Sequence, residues 1–136
     1  MSQSIKTIIK TSDFVKSVRK RDGSVVPFDL DRIANAIYKA MLASEEGGDI
    51  EASMVANKVF ADIVRISKKH KDFIPTVEGI QDTVERELVL SEYVKTAKSY
   101  ILYREKRAQI RKKGIEVPNM ISKYLAFILF GLLVLK

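Results

Sequence analysis

Four clusters of side chains in this sequence have the types and spacing to hold an anion or the polar edges of a small heterocycle. The first is Val18-Arg19-Lys20-Arg21-Asp22-Gly23, three consecutive cations running into a tight turn. Arg presents a planar fork to phosphate oxygens and Lys a point charge. On an extended strand Arg19 and Arg21 share one face and Lys20 takes the other, although twist at a turn re-aims side chains. The same run also reads as a solvated edge strand guarded by charge, and composition alone favours that plainer reading.

The second cluster is Asp29-Leu30-Asp31-Arg32-Ile33. Asp29 has the type and place of a helix N-cap, which needs no ligand. Its carboxylate could also accept from a ribose hydroxyl or an adenine amine, and Arg32, one turn in, could reach a phosphate. Thr76 is the third candidate: its hydroxyl and the first N–H groups of a helix make an anion or adenine-edge site, though a plain cap is the commoner use. The fourth is the stretch Lys95–Lys113, with Lys95, Lys98, Arg104, Lys106, Arg107, Arg111, Lys112 and Lys113 against the single acid Glu105. A charge run is usually a solvated face. Here the imbalance exceeds what a helix needs for solubility and suits nucleotide phosphates or a nucleic-acid backbone.

These groups need elements to position them. Two β-prone runs, Phe14–Arg21 and Ser24–Phe28, flank Asp22-Gly23, so the spacing predicts a hairpin with a two-residue type I′ turn. Pro27 has no N–H, so the second strand is an edge or ends there. The apolar spacing Ile33, Ile37, Met41 predicts a helix over Leu30–Ser44 behind the Asp29 cap. A second helix is expected over Glu51–Ser67, with Val55, Ala56, Val59, Phe60, Ile63 and Ile66 inward, after a Gly47-Gly48 linker. A third runs over Val77–Leu90, with Ile80, Val84 and Leu88 in register. A fourth runs over Glu92–Lys113, with Val94, Ala97, Ile101 and Ala108 inward and Gly114 as its stop. The fold class is thus α+β, a short hairpin or small sheet covering a four-helix bundle.

The 136 residues include no cysteine and one histidine, His70. No disulfide framework, zinc ribbon or thiol nucleophile is available, and a His-based metal site or triad has almost nothing to work with. His70, among lysines, reads as a solvated loop residue. Phosphate-binding glycine loops and serine elbows are lacking. The formal net charge of +7 points to an anionic partner. Met1–Lys10 is polar and basic, without the apolar core of a secretion signal, so the expected location is cytoplasmic. The uncharged run from Tyr124 to Leu135 is shorter than the roughly 20 residues a spanning helix needs. It reads as a truncated or non-native end.

The run Val18–Asp29, followed by Arg32-Ile33 and Ala36-Ile37, resembles the opening of an ATP-cone domain. Ile80-Gln81-Asp82-Thr83-Val84-Glu85 and the stretch Ala97–Arg107, with its Tyr-x-x-Tyr-Arg-x-x-Arg ending, resemble the final helices of that family in the same order. The resemblance covers residues 14–113, leaving 1–13 as a lead-in and 114–136 as linker and apolar tail. It implies a helical bundle under a short sheet that binds ATP or dATP, with Mg2+ as an optional companion, as an allosteric switch. Such domains sit at the N-terminus of ribonucleotide reductase large subunits. The lead Glu116-Val117-Pro118 points to the anaerobic or cobalamin-dependent type, and the lack of Cys excludes the zinc-ribbon repressor that shares the domain.

By position, the resemblance implies that Val18 packs on the adenine and that Lys20 and Arg21, with Arg19 in the same basic run, serve the phosphates. Asp29 would meet the ribose or base, Arg32 a phosphate, Thr76 the adenine edge, and Lys106 the phosphates from the fourth helix. The sequence departs from the family at Val26, where some members have an acid, and at Arg32, where some have Lys. The expected partners are an adenine nucleotide and a reductase catalytic core or second protomer, not a membrane. No catalysis is expected of this chain, because the barrel with its radical cysteine is not in it. Two rival readings stand beside it: a small basic nucleic-acid-binding module using the fourth helix and the hairpin, and a small protein anchored to a membrane by residues 124–135.

Overall fold

The computed structural model describes residues 15–113. The expected lead-in 1–13, Gly114 as helix stop and the apolar run after Tyr124 lie outside those residues. Two strands, β1 (Ser17–Arg19) and β2 (Val25–Pro27), pair antiparallel with Val18 opposite Val26. Four helices follow: α1 (Leu30–Ser44), α2 (Asp49–Lys69), α3 (Val77–Leu90) and α4 (Val94–Lys112). The architecture is α+β, a two-stranded sheet on a four-helix bundle. In the bundle α1 and α3 each pack against both α2 and α4.

The hairpin turn differs from expectation. Lys20 N–H donates to Ser24 O at 2.8 Å and Gly23 N–H to Lys20 O at 3.0 Å, which encloses a three-residue loop, Arg21-Asp22-Gly23. Gly23 alone takes a positive φ, +89°, whereas a type I′ turn needs two such residues. Asp22 decides the geometry: its Oδ1 accepts from Ser24 N–H at 2.9 Å and from Ser24 Oγ at 2.6 Å. The strand ends at Pro27, as its missing N–H requires.

The helix starts follow their caps. Asp29 accepts from Asp31 N–H at 3.0 Å and Thr76 from Gly79 N–H at 3.0 Å, so α1 and α3 begin where those residues predict. Helix α2 begins at Asp49, two residues before the expected Glu51, because the Glu51 carboxylate reaches back to Gly48 N–H at 3.1 Å. Gly47 is more than a linker, since a Cβ there would lie 3.0 Å from Met41 Sδ. Helix α4 begins at Val94 rather than Glu92, because Glu92 sits in the left-handed region at φ +68° and Tyr93 N–H closes back on Leu88 O at 2.9 Å.

Ile37, Met41, Val55, Val59, Val84 and Leu88 form the fully buried centre, each contributing about 1.5–3 kcal/mol by leaving water. Of the residues expected inward on α4, Ala97 is buried, but the face as a whole is turned. Val94 and Ile101 are 62% and 42% exposed, whereas Thr96, Ala97, Ser99 and Tyr100 are buried. Apolar residues are spread around α4, so tertiary contacts fix its rotation: Glu46 holds Thr96 at one end and three carboxylates hold Arg104 at the other. Ile66, expected inward on α2, is 38% exposed.

The hairpin lies over the end of the bundle where α1 and α3 start. Arg19 N–H donates to Pro75 O at 2.9 Å, and the Phe28 ring stacks at a tilt on Phe60 with centroids 5.4 Å apart. This seat leaves a gap between the inner face of the hairpin and the first turns of α1 and α3.

Candidate functional site

That gap is a pocket of about 240 Å3. The hairpin supplies Val18, Lys20, Val26 and Pro27, Phe28 and Asp29 join it to α1, and α1 supplies Arg32, Ile33 and Ala36. From the other side come Val77, Ile80, Gln81 and Val84 of α3 and Tyr100 of α4. The walls are apolar and the polar groups few, the usual make-up of a small-molecule site. The volume suits a flat heterocycle whose polar substituents extend through the mouth.

Of the eight residues singled out in the sequence, Val18, Lys20, Asp29 and Arg32 line this pocket together. Strand alternation explains the first two: Val18 in β1 and Lys20, the residue just after it, fall on the same side of the chain. Arg19 points the other way and donates to Gly23 O at 3.2 Å. Thr76 stands beside the hairpin, bridged to Arg19 in parallel fashion, one residue outside the lining that starts with Val77. Its hydroxyl oxygen accepts the α3 cap bond from Gly79 N–H, which leaves the O–H as a donor. Lys106 is exposed on α4 and is not part of the lining.

The turn re-aims Arg21 toward α3. Its Nε lies 2.5 Å from Glu78 Oε1, and its Nη2 donates to Gln81 Oε1 at 3.2 Å. Gln81 lines the pocket, whereas Arg21 is not part of the lining and reaches the site only through Gln81. The other oxygen of Glu78 accepts from Arg104 Nη2 at 2.8 Å. Arg104 also donates to Asp82 at 3.0 Å and to Glu85. Glu78, Asp82 and Glu85 recur at helical spacing on one face of α3, which gives Arg104 a carboxylate cage. One of the eight cations counted along α4 is therefore neutralised within the fold.

These contacts set the protonation states. Burial pushes the Glu78 carboxyl up, but the hydrogen bond from Arg104 and the charge of Arg21 outweigh it and hold Glu78 below its ordinary value. For Arg104 burial opposes the charge, and its bonds to Glu85, Asp82 and Glu78 more than reverse that, so it stays protonated. Burial pushes the Tyr100 phenol far up. Tyr100, one of the lining residues, therefore stays a neutral hydroxyl, able to donate and accept.

Sequence reasoning missed Gln81 and Tyr100 as pocket residues. The signal for Gln81 was present, because Val77, Ile80, Gln81 and Val84 share one face of α3. Tyr100 carried no such signal, since the rotation of α4 was not readable. Among the described residues no group of three or more His, Asp or Glu is arranged to hold a metal ion. Nor is any helix there long and apolar enough to cross a membrane.

Comparison with known proteins supplies a family. Residues 16–109 match the family model described as the ATP cone domain. The chain is 47% identical over 104 residues to a vitamin B12-dependent ribonucleoside-diphosphate reductase of Thermoplasma acidophilum, which covers 73% of this chain and 13% of that protein. It is 35% identical over 105 residues to an anaerobic ribonucleoside-triphosphate reductase of Haemophilus influenzae, covering 77% and 14%. Against a ribonucleoside-diphosphate reductase subunit alpha of Chlamydia muridarum the identity is 34% over 107 residues, covering 74% and 10%. The match thus takes in only about a tenth to a seventh of the length of these relatives.

Proposed function

This chain belongs to the ATP-cone domain family, and from that membership we propose that its hairpin pocket binds ATP or dATP and reports the bound nucleotide to a ribonucleotide reductase core or a second protomer. The working unit is residues 14–113, with 1–13 and 114–136 flanking it, and its part is regulatory rather than catalytic. The observation that carries the reading is the convergence of Val18, Lys20, Asp29 and Arg32 on one apolar pocket.

The chemistry follows from the lining. The adenine ring packs between Val18 and the α3 residues Val77, Ile80 and Val84, burying its faces. Gln81, with its oxygen engaged by Arg21, offers amide N–H groups to a ring nitrogen. Asp29 spends one oxygen on the α1 cap and has the other for a ribose hydroxyl or the exocyclic amine. Lys20 and Arg32 take the phosphates, joined by Arg21 from beside Gln81. Thr76 is a rim residue, and Arg19 and Lys106 reach the ligand only where its phosphates extend outward. Mg2+ is assigned no protein ligand, so an accompanying ion rides on the phosphates.

ATP and dATP differ by one hydroxyl, and one hydrogen bond is worth about 0.5–1.5 kcal/mol net. Affinity alone therefore discriminates weakly, and a switch requires that the two ligands favour different conformations or assemblies. The reading is tested by binding a fluorescent adenine nucleotide to the full chain and displacing it. ATP and dATP should compete and GTP should compete poorly. Displacement by an oligonucleotide with a steep salt dependence would instead favour a nucleic-acid surface.

A further inference from the structure

Arg21 already has an anion. Its Nε sits 2.5 Å from Glu78 Oε1, and Gln81, a pocket residue, accepts from its Nη2 at 3.2 Å. Glu78 in turn is shared, since its second oxygen belongs to Arg104 at 2.8 Å. The Arg21 and Glu78 side chains are 39% and 51% exposed, so their ion pair is of the solvated kind that contributes little net free energy. A carboxylate carries one charge, whereas a polyphosphate at the same guanidinium brings several and offers paired oxygens to the Arg fork.

We propose that Glu78 is a specificity-setting residue of this site: it occupies Arg21 as a built-in stand-in for phosphate, so that a ligand gains Arg21 only by bringing enough negative charge to displace the carboxylate. The inference rests on the phosphate assignment of the hairpin made above. Displacement does not open the bundle, because Glu78 keeps Arg104, and Arg104 keeps Asp82 and Glu85. The device raises the threshold for weakly charged ligands while leaving the adenine pocket untouched. It also gives α3 a means of sensing phosphate, since its first turn changes partner when the ligand arrives.

The test is calorimetric binding of ATP and adenosine to the full-length chain and to its variants. Glu78→Gln should bind ATP about threefold or more tightly, the scale set by an exposed ion pair, with adenosine binding unchanged. In an Arg21→Ala background the same substitution should bring no gain. Unchanged or weaker ATP binding by Glu78→Gln overturns the proposal, as does a gain that persists without Arg21 or extends equally to adenosine. Failure of the wild-type chain to bind ATP overturns the phosphate assignment as well, which separates the two claims. Should Glu78→Gln fold poorly, the wild-type chain answers by NMR. The Glu78 carboxyl carbon and the Arg21 Nε resonance should both shift on saturation with ATP, and an unmoved Glu78 signal overturns the proposal.

Discussion

Glu46, in the turn after α1, caps Thr96 in the first turn of α4: one carboxylate oxygen accepts from Thr96 N–H at 2.7 Å and from Thr96 Oγ1 at 2.8 Å. The other oxygen accepts from Lys95 N–H at 3.2 Å, and Thr96 Oγ1 also meets Ser44 Oγ at 2.7 Å. Thr96 is completely buried. The far end of the bundle is thus closed by a side chain that does for α4 what Asp29 and Thr76 do for α1 and α3.

Glu46→Ala should therefore destabilise the domain by about 1–2 kcal/mol, the range for losing a helix cap whose donors are left unpaired. Urea denaturation followed by circular dichroism measures it. Nucleotide binding at the opposite end should be unaffected under native conditions.

Arg104→Met should cost more, about 2–3 kcal/mol, less than for a fully buried pair because the carboxylates are partly exposed: it leaves Asp82 and Glu85 without this cation and Glu78 with Arg21 alone. The pH dependence has a definite sign. In the wild-type chain Glu78 sits below its ordinary 4.5, so its contribution is present above pH 4.5 and is lost as pH falls through the lower folded value. In the variant, protonation relieves repulsion. The stability gap between the two proteins should be widest near neutrality and should narrow toward acid.

Glu87 behaves oppositely. A hydrogen bond to Asp62, followed by burial, pushes its carboxyl above the ordinary 4.5. The folded state then binds this proton more tightly than the unfolded state. Stability is highest below pH 4.5 with respect to this group and falls as pH rises through the folded value. Glu87→Gln keeps a donor for Asp62 without the charge, so it should raise the melting temperature by a few degrees at neutral pH and by little in acid. Thermal scans across pH decide it.

Lys20→Ala combined with Arg21→Ala should weaken ATP binding by well over tenfold while leaving the helical circular dichroism signal intact. Hydrogen bonds to charged groups are worth about 1.5–3 kcal/mol each. Lys20 should account for the larger share, because Arg21 must first leave Glu78. Arg19→Ala, on the outer face of the hairpin, should change the affinity far less.

Much of this architecture was legible in the sequence where one residue type had one local role. Asp29 and Thr76 fixed the starts of α1 and α3, whose bounds are those expected. The alternation expected along the first β-prone run separates Lys20 from Arg19, and Lys20 lines the pocket while Arg19 does not. What was not legible depended on tertiary partners. The rotation of α4 could not be read, because its apolar residues do not form a stripe. Arg104 looked like one more cation in a basic run, and only the packing of α3 against α4 brings it to Glu78, Asp82 and Glu85. The hairpin loop took three residues rather than two because Asp22 bonds Ser24, a choice that Asp-Gly alone does not make.

The most direct test of the account is calorimetric titration of the full chain with ATP, dATP and GTP at two salt concentrations. Saturable binding of both adenine nucleotides is expected in the micromolar range, roughly −8 kcal/mol, with GTP much weaker and only modest loss at high salt. No saturable adenine-nucleotide binding, or equal binding of GTP, would contradict it.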